Sequence, residues 1–409
     1  MTTFSQLGID PWLVNNLKAL KITYPTEIQL NAVPQILKGK NCVCSALTGS
    51  GKTATFVLPI LNELRKDPFG VFAVILAPTR ELAFQIEEQF KTINKSTMQL
   101  KTLVVCGGID IVKQSVALSR KPHILIACPG RLSDLLINCD VSMFKHTKYL
   151  VIDESDRVLN AQFLKHLNQI FSVLPQNRQN LLFSATMTKM IKASAKDAFI
   201  YECAPRYNIV SRLKQFYLFM PFMVRDAYLL DLLKSLEDKT VIVFMPTSKE
   251  CAKIQHMADA FEFKSQCLHS EMIQAERLDA LYQFRSGRLK ILIATDVASR
   301  GLDIPYVDYI ISFSPPNCVT DYIHRVGRTA RAGQKGASIT LVSQHDVKLI
   351  LNIEEETKTK MEEYKIQKKQ VEDEDFLKKV MMARNEAEMY LDELAPSKKK
   401  RKFNNVDGK

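Results

Sequence analysis

Short apolar, β-branched runs alternate with amphipathic stretches along most of this 409-residue chain. In the first half the runs are Asn41–Ala46, Phe72–Ala77, Leu100–Cys106, His123–Cys128, Tyr149–Asp153 and Asn180–Ser184. Several are apolar at nearly every position, the pattern of strands covered on both faces. Amphipathic stretches such as Glu81–Ile93 lie between them, which predicts a parallel sheet with helices on its faces. After about Cys203 the rhythm breaks for a polar segment containing Pro205 and Arg206. It resumes with Thr240–Met245, Lys264–His269, Lys290–Thr295, Tyr309–Phe313 and Ala337–Val342. The pattern predicts two tandem α/β domains, 1–203 and 214–354, joined by a linker at 204–213.

From about Glu354 strand signals stop and charge density rises. Phe376, Val380, Ala383, Ala387, Leu391 and Leu394 recur at three- and four-residue steps, which fits an amphipathic helix within a charged tail at 355–409. Docking of this stripe on the second domain is the favoured reading, ahead of a partner-binding helix. The run KKKRK at 398–402 and the polar residues after it read as disordered.

Composition narrows the classes. The chain is 46% hydrophobic and 24% charged, too apolar for a disordered protein, and its 14 Gly and 16 Pro are too few for a fibrous one. The nine cysteines are scattered without CxxC or zinc spacing, which predicts reduced, mostly buried thiols. The opening residues lack the basic and apolar regions of a signal peptide, and no apolar run approaches a membrane span. A cytosolic or nuclear protein is expected. The net charge of +12 suggests a polyanionic partner without naming one.

Three motifs carry chemistry. Ala46-Leu-Thr48-Gly49-Ser50-Gly51-Lys52-Thr53 follows the first strand and precedes a helical stretch. Its glycines let the backbone wrap a phosphate, Lys52 supplies charge at the terminal phosphates, and the Thr53 hydroxyl can ligate Mg²⁺. Ala46 replaces the usual first glycine. Tyr149-Leu-Val-Ile-Asp153-Glu154-Ser155-Asp156 is an apolar strand ending in carboxylates, where open α/β sheets bind ligands. Asp153 is placed to hold Mg²⁺, directly or through water, and Glu154 to polarise an attacking water. His324-Arg325-Val-Gly-Arg328-Thr-Ala-Arg331 sets three arginines at three-residue steps. It reads either as a solvated basic face or as arginine fingers reaching a nucleotide held by the other domain. Together, the phosphate loop and the arginine array predict an ATP site completed by domain closure.

With these residues in view, the chain resembles the DEAD-box RNA helicases of superfamily two over about residues 4–345. The markers run in the family's order: Phe4, Tyr24-Pro-Thr-Glu-Ile-Gln29, ALTGSGKT at 46–53, and Pro78-Thr-Arg-Glu-Leu82. Gly107-Gly108, Cys128-Pro-Gly-Arg131, DESD at 153–156 and Ser184-Ala-Thr186 follow. The second domain has Val243-Phe244, Gln274-Ala-Glu-Arg277, the stretch Ala294 to Asp303, and HRVGRTAR at 324–331. The resemblance implies two RecA-like domains and a set of roles. Gln29, with Tyr24 nearby, would read adenine; Phe4 would pack on the base or, equally, staple the first helix. Asp303 would be a nucleotide-side acid, and Arg328 and Arg331 the fingers. Ser184, Thr186, Asp156 and His324 would couple hydrolysis to closure. Arg80, Gly108, Arg131, Arg277 and Thr295 would contact RNA phosphates and 2′-hydroxyls, with little sequence specificity. The departures, Ser155, Cys128 and Lys21, leave the phosphate chemistry untouched.

The expected activity is ATP-dependent separation of short RNA duplexes or remodelling of RNA–protein complexes by a monomer, with ATP and Mg²⁺. An RNA clamp with little unwinding remains an alternative; a DNA translocase fits Gln29 and Ser184-Ala-Thr186 less well. Within the family, the compact chain and stretches such as VRDAYLLDLL (224–233) resemble nucleolar helicases of small-subunit ribosomal RNA maturation. Pre-ribosomal proteins or an activating cofactor protein are the partners this implies, and KKKRK fits nuclear import. Residues 1–200 carry 23 Lys/Arg against 14 Asp/Glu, a net of +9 out of +12. The reading is that RNA phosphates lie across this first lobe.

Overall fold

The structure is a computed structural model that describes residues 2–46, 49–187, 191, 197–202, 213–296, 306–330, 335–366 and 370–394. Thr48, Asp303, Arg331, most of the 204–213 linker and the KKKRK run lie outside the described residues. The chain divides into two compact units near residue 210.

The first unit is built on β1 (Cys42–Ser45), β2 (Ala73–Leu76), β3 (Thr102–Val105), β4 (Ile124–Ala127), β5 (Tyr149–Ile152), β6 (Gln179–Ser184) and β7 (Phe199–Glu202). They form one sheet in the order β3-β4-β2-β5-β6-β1-β7, and every pairing is parallel. The second unit is built on β8 (Leu213–Phe219), β9 (Val241–Met245), β10 (Ser265–Leu268), β11 (Ile291–Thr295), β12 (Tyr309–Ser312), β13 (Gly336–Val342) and β14 (Glu362–Glu363). Their order is β10-β11-β9-β12-β13-β8-β14, again all parallel.

Burial follows the sequence pattern. β1, β2, β4 and β5 are buried at every position because helices cover both faces. The helix Lys52–Leu64 presses Phe56 between Phe90 and Phe183, with ring centroids 6.5 and 5.2 Å away. Three strands have no counterpart in the predicted runs. β7 is an edge strand that alternates in exposure, and β8 is buried at only two of its positions, so neither reads as a continuous apolar run. β14 corrects the expectation that strands end before Glu354: two exposed glutamates pair with Phe216 and Tyr217 of β8.

The tail stripe docks as favoured. The helix Glu374–Leu394 buries Phe376, Val380, Ala383 and Ala387 in the core of the second unit. Phe376 meets Phe261 edge-on at 5.6 Å, and Tyr390 stacks on His256 at 5.0 Å. Arg384 clamps the Asp226 carboxylate, donating from Nε at 2.7 Å and also from Nη2. This stripe is therefore spent on intramolecular packing. Val380→Asp is expected to destabilise the second unit by about 3 kcal/mol or more, since it buries an unpaired charge. Thermal or denaturant unfolding of the full chain measures the loss.

Candidate active site

The register of the first sheet ends its strands nearly level: Ser45 lies opposite Ser184, Leu182 opposite Ile152, and Leu76 opposite both Ile152 and Ala127. In a parallel sheet all these ends share one edge, where loops are free to carry ligands. The phosphate-loop motif leaves β1, Ser184-Ala-Thr186 ends β6, and Asp153-Glu-Ser-Asp156 leaves β5. These three strands are adjacent.

Gly51 caps the helix Lys52–Leu64 in the left-handed region, at φ +91°. A Cβ there would lie 2.6 Å from Gln29 Nε2 and 3.1 Å from Thr26 Oγ1, so only glycine fits. Gln29 is fixed from both ends of its amide: Oε1 accepts from Thr26 N at 3.0 Å, and Nε2 donates to Gly51 O at 3.2 Å. The adenine-reading candidate thus buttresses the phosphate loop through a helix capping box. Thr26 had no assigned role in the sequence, although the spacing Thr26…Gln29 is the signal of such a box. Lys52 Nζ donates to Ala46 O at 2.6 Å across the loop, and Thr53 stands partly exposed in the helix's first turn. Gly49 takes φ +84°, and the buried Ser50 hydroxyl makes no hydrogen bond.

Asp153 is buried, and this desolvation pushes its carboxyl up to about 6; Lys52 opposes the shift, while Glu154 adds to it. Its Oδ1 accepts from Glu154 N at 2.9 Å. Glu154 adopts φ +48°, rare for a residue with a side chain, and its buried Oε2 has no hydrogen bond; Arg157 lies 3.9 Å away. Thr186 Oγ1 donates to Asp156 Oδ2 at 2.7 Å, and the Ser184 hydroxyl both donates to Thr186 O (2.7 Å) and accepts from Thr186 N (3.1 Å). The two motifs are joined by these bonds. Three clustered carboxylates, Asp153, Glu154 and Asp156, outnumber the two cations beside them, Lys52 and Arg157, and this surplus negative charge fits a divalent cation. No ready-made metal-ligand cluster occurs among the described residues, so a Mg²⁺ would draw its other ligands from water and phosphate.

The other half of the same edge carries three predicted RNA residues. Arg80 starts the helix after β2 and lies flat on Gly107-Gly108 after β3: a Cβ on Gly108, at φ +80°, would fall 2.2 Å from Arg80 Nη1. Arg131, after β4, donates to Ile109 O at 2.7 Å. Phe4 is 1% exposed within the core of the first unit. Tyr24 is exposed.

In the second unit the described part of the arginine array is not a solvated face. His324, Arg325 and Arg328 are all buried. Arg325, which had no separate role in the sequence, is the pin. It grips Asp296 through two 2.7 Å bonds, donates to Ser314 O at 2.8 Å, and lies 5.2 Å from the centre of the Phe244 ring. Asp296 was visible only as part of a motif. Arg277 and Thr295 are also buried, and the Thr295 hydroxyl has no hydrogen bond.

Each unit is thus a parallel-sheet nucleotide-binding fold, and the first holds the phosphate loop and acidic strand end of a nucleoside triphosphatase. A DEAD/DEAH box helicase family profile matches residues 26–194, and a helicase conserved C-terminal domain profile matches 225–333. The chain is 44% identical over 403 residues to a probable ATP-dependent RNA helicase, DDX49, of Homo sapiens, covering 96% of this chain and 83% of that protein. It is 46% identical over 378 residues to the ATP-dependent RNA helicase dbp8 of Schizosaccharomyces pombe, covering 88% and 83%. Among solved structures, Mss116p bound to single-stranded RNA and AMP-PNP superposes with TM-score 0.84 at 27% identity, covering 93% of this chain and 82% of that one. S. cerevisiae Dbp5 bound to RNA and ADP-BeF3 does so with TM-score 0.80 at 25% identity, covering 94% and 100%. The chain belongs to the DEAD-box family and is an ATP-dependent RNA helicase.

Burial of Asp153 gives a stability prediction. Its folded pKa, about 6, lies above the ordinary 3.8, so the ionised group destabilises the nucleotide-free fold above pH 6 by up to about 3 kcal/mol. The penalty fades as pH falls from 6 towards 4. Asp153→Asn is therefore expected to raise the melting temperature at pH 7.5 and to gain little at pH 4.5, as thermal scans across pH would show.

Proposed function

We propose that the exit edge of the first sheet is divided between its two substrates. The β1–β6–β5 half holds ATP, and the β2–β4–β3 half holds RNA through Arg80, Gly108 and Arg131. The observation that carries this reading is the level row of strand ends, which sets both residue groups on one rigid edge. Gln29 and Tyr24 receive the base, while Lys52 and the backbone at Gly49–Gly51 orient the phosphates. Thr53 and Asp153 would hold Mg²⁺, partly through water, and the ion would offset charge on the phosphates. Glu154, already clear of hydrogen bonds at Oε2, takes the proton of the attacking water.

Arg328 and Arg331 act as the fingers, Asp303 as a nucleotide-side acid, and Arg277 and Thr295 as further RNA contacts. These five roles are supported by the family resemblance. Thr186 and Asp156 report the state of the acidic strand end to Ser184 and the phosphate loop through their shared bonds, with Ala46 N donating to Ser184 O at 3.1 Å. His324, fixed beside Arg325, belongs to the same coupling.

The wider setting we infer is small-subunit ribosomal RNA maturation in the nucleolus, among pre-ribosomal proteins or with an activating cofactor protein. It rests on the likeness of the second domain's stretches to nucleolar members and on the KKKRK run. A tagged protein excluded from the nucleus would overturn it, and sequencing of RNA crosslinked in cells would identify the substrate.

RNA-stimulated ATPase assays test the chemistry. Lys52→Ala is expected to abolish turnover. Glu154→Gln is expected to slow it by about 10²–10⁴-fold while RNA stays bound in the presence of ATP. Turnover at the parent rate in Glu154→Gln would remove Glu154 as the base.

A further inference from the structure

The positive charge of the first unit does not lie where the ATP and RNA readings place the substrates. On the exit edge, the loops leaving the strands and the first helical turns after them carry five Lys/Arg and five Asp/Glu among the described residues. On the opposite edge, the segments entering the strands and the last helical turns before them carry twelve Lys/Arg against five Asp/Glu, a net of +7. All but one of the twelve are exposed, the partly covered Arg178 being the exception. Among the described residues two of them are ion-paired, Lys66 to Glu63 and Lys91 to Glu87, and neither lies in the cleft described below. Unpaired like charges crowded along one edge repel one another, and a polyanion relieves that repulsion.

This edge also has shape. A cleft of about 580 Å³ opens between the entries to β1, β2, β5 and β6, within the range that holds small ligands. Lys145, His146 and Lys148 line it, with Asp67 its one acidic residue. Lys40 flanks it beside the lining residue Gly39. Phe69 stands in its wall, 62% exposed, with its ring edge-on to His146 at 5.7 Å. Lys148 Nζ lies 5.2 Å from the centre of the Phe72 ring at the cleft's base. Exposed rings among unpaired lysines suit unstacked bases with their phosphates, whereas an acidic protein would need the lysines but not Phe69.

We propose that the strand-entry edge of the first unit, centred on the Lys40–Lys145–Lys148 cleft, is a second RNA-docking surface. It takes single-stranded RNA flanking the segment held at the exit edge, with phosphates on the lysines and a base against Phe69. The two edges are separated by strands of four to six residues, about 13–20 Å, so a short RNA whose nucleotides are all held along the exit edge has none left to reach the entry edge, and a long one does.

The test uses the full chain and two single-stranded RNAs, of about 8 and about 30 nucleotides, bracketing the site size of one binding track. The variant combines Lys40→Glu, Lys145→Glu and Lys148→Glu, all at exposed loop positions. Binding of the long RNA is expected to weaken roughly tenfold or more at 150 mM salt, and its log–log salt slope to fall by about 2, at about 0.7 per lost phosphate contact. Affinity for the short RNA and the ATPase activity it stimulates should match the parent. Phe69→Ala should weaken long-RNA binding about fivefold or more with the slope unchanged. An unchanged long-RNA affinity and slope in the triple variant overturns the proposal, whether the edge then proves to hold an acidic protein or only solvent. An equal loss for both RNAs also overturns it, because general attraction rather than docking would then explain the charge. Failure of short-RNA stimulation in the parent protein would instead count against the exit-edge reading.

Discussion

In an all-parallel sheet every strand leaves at the same edge, and both units of this chain are all parallel. The edge where strands end collects the loops that lead into helix N-termini, with free backbone N–H groups and a favourable dipole for anions. The edge where strands begin collects helix C-termini. Phosphate loop, acidic strand end and Ser-Ala-Thr therefore come together without long-range design at each residue: it suffices that β1, β5 and β6 are neighbours and end level. The same constraint sets Arg80, Gly108 and Arg131 in a row beyond them.

Stability is given up at that edge. Asp153 sits in the most buried part of the site with its ionised form disfavoured, Glu154 holds a left-handed backbone, and Ser50 keeps a buried hydroxyl without a partner. Each feature is unfavourable in the free fold. They are tolerated because helices on both faces, with Phe56 wedged between Phe90 and Phe183, hold the strands rigidly. A cation and phosphates entering there would meet Glu154 Oε2 and the Ser50 hydroxyl without hydrogen bonds, while Lys52 would exchange its bond to Ala46 O for the phosphates.

How legible the chain was depends on whether a feature is local. Gly51, Lys52 and the Asp153–Asp156 run declare themselves because strand, turn and helix signals adjoin them. The tail stripe declared its helix and its docking because Phe376, Val380, Ala383 and Ala387 keep one period. β7, β8 and β14 were hidden, since partly exposed strands are defined by neighbours rather than by apolar runs. The Arg325–Asp296 pin was hidden for the same reason: the two residues are 29 apart, and only the sheet brings them together.

Net charge shows the limit of arithmetic along the chain. The +9 of residues 1–200 is real, and it fits an RNA-binding lobe, but a sum has no direction. Placed on the fold, the acidic residues of the chemistry cancel the arginines of the exit edge, and the surplus moves to the entry edge around Lys40, Lys145 and Lys148. Electrostatic attraction of RNA to this lobe therefore acts on a broader surface than the strip where the bases would be held. A motor with carboxylates at its reactive edge gains from that separation. Cations at the far edge would draw phosphates in without standing beside Asp153, where they would compete with Lys52 and any divalent ion for the same buried charge.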